Sequence, residues 1–260
     1  MTTILFMIHG MWGGPWCWEN YTRFFGHRGY RCVTPTLRFH EQRPQDLPDA
    51  RLGTTSLQDY VQDLEREITK LDRTPVIMGH SMGGLLAQIL ASRGLARGLV
   101  LLTSAAPSGI IAIRPTVIRS FWSALTRWGF WRKPFRQTYE EAVYSMMHLL
   151  SVGDRERAYR RFVYESGRAA SEIGFWFLDS KRAARVDAAT VRCPILVVGA
   201  AEDRITPVSV ARRIARKYGA VATYKEFANH AHWLLAEPDW EQSAAYVADW
   251  MDKALVSSAA

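Results

Sequence analysis

Short apolar runs alternate along the chain with stretches in which apolar residues recur at helical spacing. Six of these runs predict strands: TILFMIHG, YRCVTPTL, TPVIMGHS, ARGLVLLTSA, CPILVVGA and ATYKEFA, in chain order. Their continuous apolarity is typical of strands buried on both faces, as in a parallel sheet. The pattern therefore predicts a sheet with helices packed against it.

Helical periodicity is found between the predicted strands. One predicted helix has its apolar residues at Leu57, Tyr60, Val61, Leu64, Ile68 and Leu71. Thr55 with Gln58 fits a capping box ahead of it. Three further helices are predicted over residues 85–92, 207–217 and 239–255. This alternation predicts an α/β fold, a doubly wound and mostly parallel sheet of about six strands.

Residues 110–188 break the alternation. They are rich in Trp, Arg, Phe and Tyr, and they predict helices with short breaks and no strand. We interpret them as a helical insertion after the fourth strand, within a core made of residues 1–109 and 189–260. The last four residues, Ser-Ser-Ala-Ala, are expected to be frayed.

Length and composition agree with one globular α/β domain. The chain has 260 residues, of which 48% are hydrophobic. Cys17, Cys32 and Cys193 lack the spacing of a disulfide framework or a zinc site. The sequence shows no targeting segment and no apolar run of the roughly 20 residues that span a bilayer. We therefore expect a cytoplasmic protein without stable membrane insertion.

The net charge of +8 raises the question of an anionic partner. Arginines are dense between residues 114 and 192, and basic segments with aromatics can bind nucleic acids. Acids such as Glu140 and Asp154 are interleaved with them, however, and no nucleic-acid motif is present. We predict a solvated basic surface and no nucleic-acid partner, and an anionic substrate remains open.

The stretch TPVIMGHSMGGLLAQILA joins a predicted strand to a predicted helix through Gly79-x-Ser81-x-Gly83. Strand, Gly-x-Ser-x-Gly and helix in this order form a nucleophile elbow. The turn lifts the Ser81 hydroxyl above the sheet, and the two glycines let strand and helix pass closely. The amino terminus of the helix also points toward negative charge that develops near Ser81.

A serine nucleophile needs a base, and the base needs an orienting carboxylate. His230 and His232 follow the last predicted strand in KEFANHAHWLLAEPDW, and either could serve from its position alone. The run PILVVGAAEDRITP ends another strand and presents Glu202 and Asp203.

These motifs together resemble those of the α/β-hydrolases, in which the triad follows the chain order serine, acid, histidine. The family's base segment resembles AHWLLAEP, which selects His232 and leaves His230 as a loop or supporting residue. The resemblance also implies that Asp203 is the acid. The loop MIHGMWGG resembles the family's oxyanion loop, so the amides of Met11 and Met82 become the expected donors.

The resemblance covers 1–109 and 189–260, and it implies that the insertion is a lid or cap. In the oxyanion loop, His9 is expected to hold the backbone in place, while His80 is expected to pack beside the nucleophile. The overall pattern is similar to bacterial carboxylesterases and to compact plant methylesterases and hydroxynitrile lyases. The expected substrate contacts are Trp12, Trp122, Trp128, Met146 and Met147, together with Phe130 and Trp131.

The resemblance implies a serine hydrolase that cleaves small carboxylic esters through an acyl-enzyme, with no metal or cofactor. A carbon–carbon bond hydrolase, a lactonase and a cofactor-free dioxygenase remain alternatives on the same fold. Lyase activity is disfavoured by Trp233 and Met11, which stand where such lyases carry Lys and Thr. A ligand receptor is a further alternative, which the candidate triad disfavours. The oligomeric state is not indicated.

Overall fold

The computed structural model describes residues 2–256, and a six-stranded sheet forms its centre. The strands are β1 (Ile4–Ile8), β2 (Arg31–Val33), β3 (Val76–His80), β4 (Gly98–Leu102), β5 (Ile195–Ala200) and β6 (Ala222–Phe227). Their order is β2-β1-β3-β4-β5-β6, and every pairing is parallel. The predicted fold class is confirmed.

Helices cover both faces of the sheet. They are α1 (Glu19–His27), α2 (Leu57–Thr69), α3 (Met82–Ser92), α9 (Val208–Tyr218) and α10 (Trp240–Val256). Phe6 and Ile8 of β1 pack with α2, α3 and α9 on one face, and Leu5 and Met7 pack with α1 and α10 on the other. Because alternate side chains enter two different apolar layers, the strand sequence is apolar throughout.

Several element bounds differ from the prediction. The sequence analysis missed α1, and α3 begins at Met82 rather than at residue 85. β2 has only three residues because it is an edge strand followed closely by Pro35, which has no N–H to donate.

The predicted capping box was wrong by one residue. The box at α2 is formed by Ser56 and Asp59, not by Thr55 and Gln58. The Ser56 N–H donates to Asp59 Oδ2 at 2.8 Å, and the Thr55 hydroxyl instead donates to the carbonyl of Arg51. The helix begins at Leu57, whose side chain is buried, so the residue before it, Ser56, becomes the N-cap.

The segment between β4 and β5 is mainly helical. It contains α4 (Pro115–Ser120), α5 (Trp122–Leu125), α6 (Tyr139–Ala142), a π-helical turn (Val143–Met147), α7 (Val152–Tyr159) and α8 (Gly167–Gly174). The expectation of no strand was wrong, because Pro134–Phe135 and Glu165–Ser166 form a short antiparallel pair. Two residues on each side are too few to produce a visible alternation in the sequence.

Further features bear on the predictions. Cys17, Cys32 and Cys193 are free thiols. Within residues 2–256, no helix combines the length and apolarity required to cross a bilayer. The prediction for the terminal Ser-Ser-Ala-Ala concerns residues 257–260, which lie outside the described part of the chain.

Candidate active site

Ser81 lies in the turn between β3 and α3, in a strained backbone conformation. Its φ and ψ are 55° and −123°, a region that non-glycine residues rarely adopt. Backbone hydrogen bonds fix the turn. The Ser81 N–H donates to the Leu102 carbonyl at 3.1 Å, and the Ser81 carbonyl accepts from the N–H groups of Gly84 and Ala105, each at 2.9 Å. Such strain is typical of a functional turn.

The glycines on either side of Ser81 allow the close approach that the sequence predicted. A Cβ on Gly79 would lie 2.3 Å from the Gly83 carbonyl oxygen, and one on Gly83 would lie 2.1 Å from the Ile8 carbonyl oxygen. Neither distance leaves room for a side chain. β1, β3 and α3 therefore meet at Ser81 at backbone contact distance.

His232 and Asp203 are paired at the same edge of the sheet. His232 Nδ1 donates to Asp203 Oδ2 at 2.8 Å, and both side chains are buried. Because Nδ1 carries the proton in this pairing, Nε2 presents a lone pair, and it has no hydrogen-bond partner in the described part of the chain. The ring of His80, next to Ser81 in the chain, lies 4.8 Å from the ring of His232 between centroids.

Asp203 follows β5 and is surrounded by donors. Its Oδ1 accepts from the backbone of Ile205 at 2.9 Å and of Thr206 at 2.7 Å. Its Oδ2 accepts from the Thr206 hydroxyl at 2.6 Å in addition to His232. These contacts fix the carboxylate toward the imidazole. The sequence analysis missed Thr206, although an Asp that binds the N–H groups two and three residues ahead is a known turn signal.

His230 has a different partner. Its Nδ1 lies 3.1 Å from Glu237 Oε2, which also accepts from Ala231 N–H at 2.8 Å, while Glu237 Oε1 accepts from Trp233 N–H at 3.0 Å. Glu237 thus ties the loop on both sides of His232. The sequence analysis did not single out this glutamate, whose signal is the Glu-Pro pair that ends the quoted histidine segment.

The loop after β1 packs directly on Ser81. A Cβ on Gly10 would lie 2.8 Å from the Cβ of Ser81. His9 anchors this loop, since its Nδ1 donates to the Gly10 carbonyl at 2.8 Å and its Nε2 accepts from Leu37 N–H at 3.2 Å. Burial, together with the neighbouring His40, lowers the pKa of His9 to about 3. His9 is therefore neutral, as these hydrogen bonds require.

His80 is likewise neutral and structural. Its Nε2 donates to the carbonyl of His232 at 2.8 Å, and Thr103 donates to the same carbonyl at 3.3 Å. Burial, with a smaller contribution from His232, lowers the pKa of His80 to about 3. These contacts hold the backbone of the histidine loop against the turn that carries Ser81.

A cavity of about 320 Å³ lies over Ser81. Met11, Trp12, Met82, Ala105, Ala106, Ile205 and Thr206 line it from the core. Ala112, Ile113, Val117, Ile118, Phe121, Ala124, Leu125, Phe130, Ala170, Ile173, Gly174 and Phe175 line it from the segment between β4 and β5. Apart from the hydroxyls of Ser81 and Thr206 and the indole N–H of Trp12, the lining side chains are apolar.

The structure brings only some of the predicted contact residues to this cavity. Trp12 and Phe130 line it. Trp122 and Trp128 do not, because their side chains extend into solvent, and Trp128 is 85% exposed. Met146 and Met147 are buried in the apolar layer that contains α10, so the expectation for these four residues is corrected. Phe121 and Ile173 line the cavity instead, and the spacing of apolar residues in the sequence did not predict them.

The groups around Ser81 suit nucleophilic chemistry at a carbonyl. Ser81 lines an apolar cavity, and the paired His232 and Asp203 lie at the same edge of the sheet, with one ring nitrogen of His232 unpartnered in the described part of the chain. Among residues 2–256, no three His, Cys, Asp or Glu side chains are grouped so that they could hold a metal ion.

Comparison with known proteins gives matches over almost the whole chain. The alpha/beta hydrolase family matches residues 5–246. A pyrethroid hydrolase from Sphingobium faniae JZ-2 superposes with a TM-score of 0.73 at 17% identity, covering 97% of this chain and 98% of that one. A methylesterase protein from Arabidopsis superposes with a TM-score of 0.71 at 12% identity, covering 96% and 99%. Identities this low show a shared fold.

One curated protein matches over a shorter region. It is a carbendazim hydrolyzing esterase from Nocardioides sp. (strain SG-4G), and it is 30% identical over 87 residues. The match covers 34% of this chain and 35% of that protein.

Proposed function

We propose that this chain, which belongs to the alpha/beta hydrolase family, cleaves carboxylic esters of small apolar molecules through an acyl-enzyme on Ser81. The observation that carries the proposal is the strained Ser81 turn at the base of an apolar cavity, beside the paired His232 and Asp203. The partial match to a carbendazim hydrolyzing esterase favours esters within this family.

In the first half of the proposed reaction, Ser81 Oγ attacks the ester carbonyl carbon while His232 Nε2 takes the hydroxyl proton. The Asp203 carboxylate stabilises the imidazolium that results. The amides of Met11 and Met82 stabilise the oxyanion, and losing one such donor typically costs about 2.7–4 kcal/mol. The intermediate then expels the alcohol, which receives its proton from His232.

In the second half, water attacks the acyl carbon and gives its proton to His232 Nε2. The new tetrahedral intermediate collapses, and Ser81 recovers its proton from the imidazolium as the carboxylic acid leaves. The close packing of Gly10 on Ser81, which leaves no room for a Cβ, supports this proposal, because Met11 is the next residue and lines the same cavity as Ser81.

We also propose that residues 110–188 act as a cap over the site. More than half of the cavity lining comes from this segment, and its Val163 N–H donates to the Trp12 carbonyl at 2.9 Å. An apolar lid that excludes water strengthens the electrostatic interactions around the reacting carbonyl.

Turnover of p-nitrophenyl esters from acetate to decanoate tests the proposal, with wild type, Ser81→Ala and Ser92→Ala compared. Ser92 ends the same helix, and its hydroxyl donates to the Ile89 carbonyl, so it is a matched control. We expect Ser81→Ala to lose at least about 10⁴-fold in kcat, and Ser92→Ala to remain close to wild type. An inactive but folded wild type, or comparable activity of Ser81→Ala, would contradict the proposal.

A further inference from the structure

The cavity above Ser81 opens to solvent between apolar side chains. Ile113 and Ile118 line the cavity and still expose 46% and 40% of their surface, and the exposed Gly174 lies at the same mouth. Soluble proteins rarely gather exposed apolar side chains unless they bind a partner or a membrane there. The mouth is therefore a candidate interaction surface.

Exposed apolar residues continue around this mouth. Trp122 follows Phe121 of the cavity lining, and the ring of Phe177 lies 6.4 Å from that of Phe175, another lining residue. We define the rim patch as Ile111, Ile113, Ile118, Trp122, Phe177 and Leu178, all of which are at least 40% exposed.

Positive charge accompanies the rim patch. Residues 110–139 hold six cations and no Asp or Glu, namely Arg114, Arg119, Arg127, Arg132, Lys133 and Arg136. All but Arg136 are exposed. Within the described residues, none of the six forms an ion pair, whereas the cap arginines at 157–168 are paired with carboxylates. Among these unpaired cations, Arg114 and Arg119 flank the lining residues Val117 and Ile118.

Two of these cations are directly beside rim residues. Ile118 N–H donates to the Arg114 carbonyl at 2.9 Å, so Arg114 lies one helical turn before Ile118. Arg119 is the next residue after Ile118, and its guanidinium lies 3.9 Å from the centre of the Tyr144 ring. The apolar side chains of α4 are therefore flanked by a cation at each end.

We propose that the rim patch and its cations dock the protein on the surface of an anionic phospholipid bilayer, with the cavity mouth toward the lipid. The apolar side chains enter the interface, and the arginines bind the phosphates around them. A second copy on the same patch would bring like charges face to face. A nucleic acid is disfavoured because Ile113, Ile118 and Leu178 are aliphatic and offer its bases no aromatic ring to stack on.

Docking in this orientation would let an apolar molecule dissolved in the bilayer enter the cavity without crossing water. The inference does not depend on the proposed ester hydrolysis, because binding can be measured with a variant that lacks Ser81. Failure of one proposal is therefore distinguishable from failure of the other.

The test is co-sedimentation of the full-length Ser81→Ala protein with phosphatidylcholine vesicles, with and without 30% phosphatidylglycerol, at low and high salt. We expect binding to the anionic vesicles only, and weakening by salt. Arg114→Glu with Arg119→Glu should weaken it about 100-fold. The matched control is Arg216→Glu with Lys217→Glu, which changes net charge equally at the opposite end of the sheet, where α9 ends. It should bind almost normally.

A second pair of variants tests the apolar contribution. Trp122→Ser and Phe177→Ser should each weaken vesicle binding at least tenfold, and Val221→Ser, exposed at the opposite sheet edge, should not. The proposal is overturned if anionic vesicles do not bind or if both charge-reversal pairs weaken binding equally. It is also overturned if the rim variants abolish a dimer seen by sedimentation velocity, or if a single-stranded oligonucleotide binds more tightly than the vesicles do.

Discussion

Two buried histidines, His9 and His40, lie side by side and differ in charge. Their ring centroids are 5.2 Å apart. His9 Nε2 accepts a backbone N–H, which requires the neutral form. Both nitrogens of His40 face oxygens, since Nδ1 donates to the Arg38 carbonyl and Nε2 to Glu165 Oε2, each at 3.1 Å. Burial opposes the charged form of His40, but Glu165 outweighs it and raises the pKa of His40.

This pairing predicts a pH-dependent stability. Because the pKa of His40 is raised on folding, the ion pair stabilises fully below the unfolded pKa of about 6.5, and the contribution is lost as pH rises through the folded value. Glu165→Gln should cost about 3–5 kcal/mol at pH 6 and clearly less at pH 9, by urea denaturation. The exposed Glu140→Gln is the control. An equal cost of Glu165→Gln at both pH values would refute the ion pair.

At the scale of elements, the proposed cap of residues 110–188 is joined to the core by a buried carboxylate. Glu172 of α8 accepts from the Ser56 hydroxyl at 2.9 Å and from the Leu57 N–H at 2.8 Å, so it satisfies the amino terminus of α2. Glu172 also accepts from the guanidinium of Arg168, one turn earlier in α8. A negative charge at that position also interacts favourably with the helix dipole. One side chain from the cap therefore completes a helix of the core.

Loss of this carboxylate should destabilise the fold. Glu172→Ala leaves the buried Leu57 N–H without its partner and should lower the free energy of unfolding by about 1–3 kcal/mol. Glu172→Gln, which keeps an acceptor, should fall between wild type and Glu172→Ala. Chemical denaturation of the two variants, with Glu140→Ala as the exposed control, measures the effect. A cost no larger than that of the control would show that the cap does not support α2.

For the whole molecule, charge and cavity favour different ligands. The net charge of +8 attracts anions to the surface, whereas the cavity lining is apolar and contains no cation. A charged group that enters such a cavity loses its hydration and meets no oppositely charged side chain among the lining residues. The surface charge therefore attracts anionic partners to the outside of the protein, whereas the cavity binds uncharged, apolar ligands.

On the basis of the proposed ester hydrolysis, this contrast predicts selectivity against charged esters. The kcat/KM for p-nitrophenyl butyrate should exceed that for the p-nitrophenyl hemisuccinate anion, which has a similar length, by at least about 100-fold, as expected when burial of an unpaired charge costs several kcal/mol. Steady-state kinetics at low and high salt would measure both. A hemisuccinate hydrolysed as well as the butyrate, and inhibited by salt, would mean that arginines bind the substrate.

The sequence by itself determined the core strands, the Ser81 turn and the family. β1, β3, β4 and β5 are buried on both faces, so their composition alone is diagnostic. The Gly-x-Ser-x-Gly pattern between a strand and a helix marks the Ser81 turn, although the contact that excludes a side chain at Gly83 comes from Ile8. Both signals lie in short runs of consecutive residues, so they can be identified from the sequence alone. The match of residues 5–246 to the alpha/beta hydrolase family confirmed the resemblance.

Only the tertiary structure decided what depends on distant segments meeting. Glu172 binds the start of α2, and Glu165 binds His40, each across more than one hundred residues of chain. Phe121 rather than Trp122 faces the cavity. The helices α4 and α5 have only six and four residues, which is too few turns for a period to mark their buried faces. Which aromatic is buried there follows from packing, and packing is fixed only once the chain has folded.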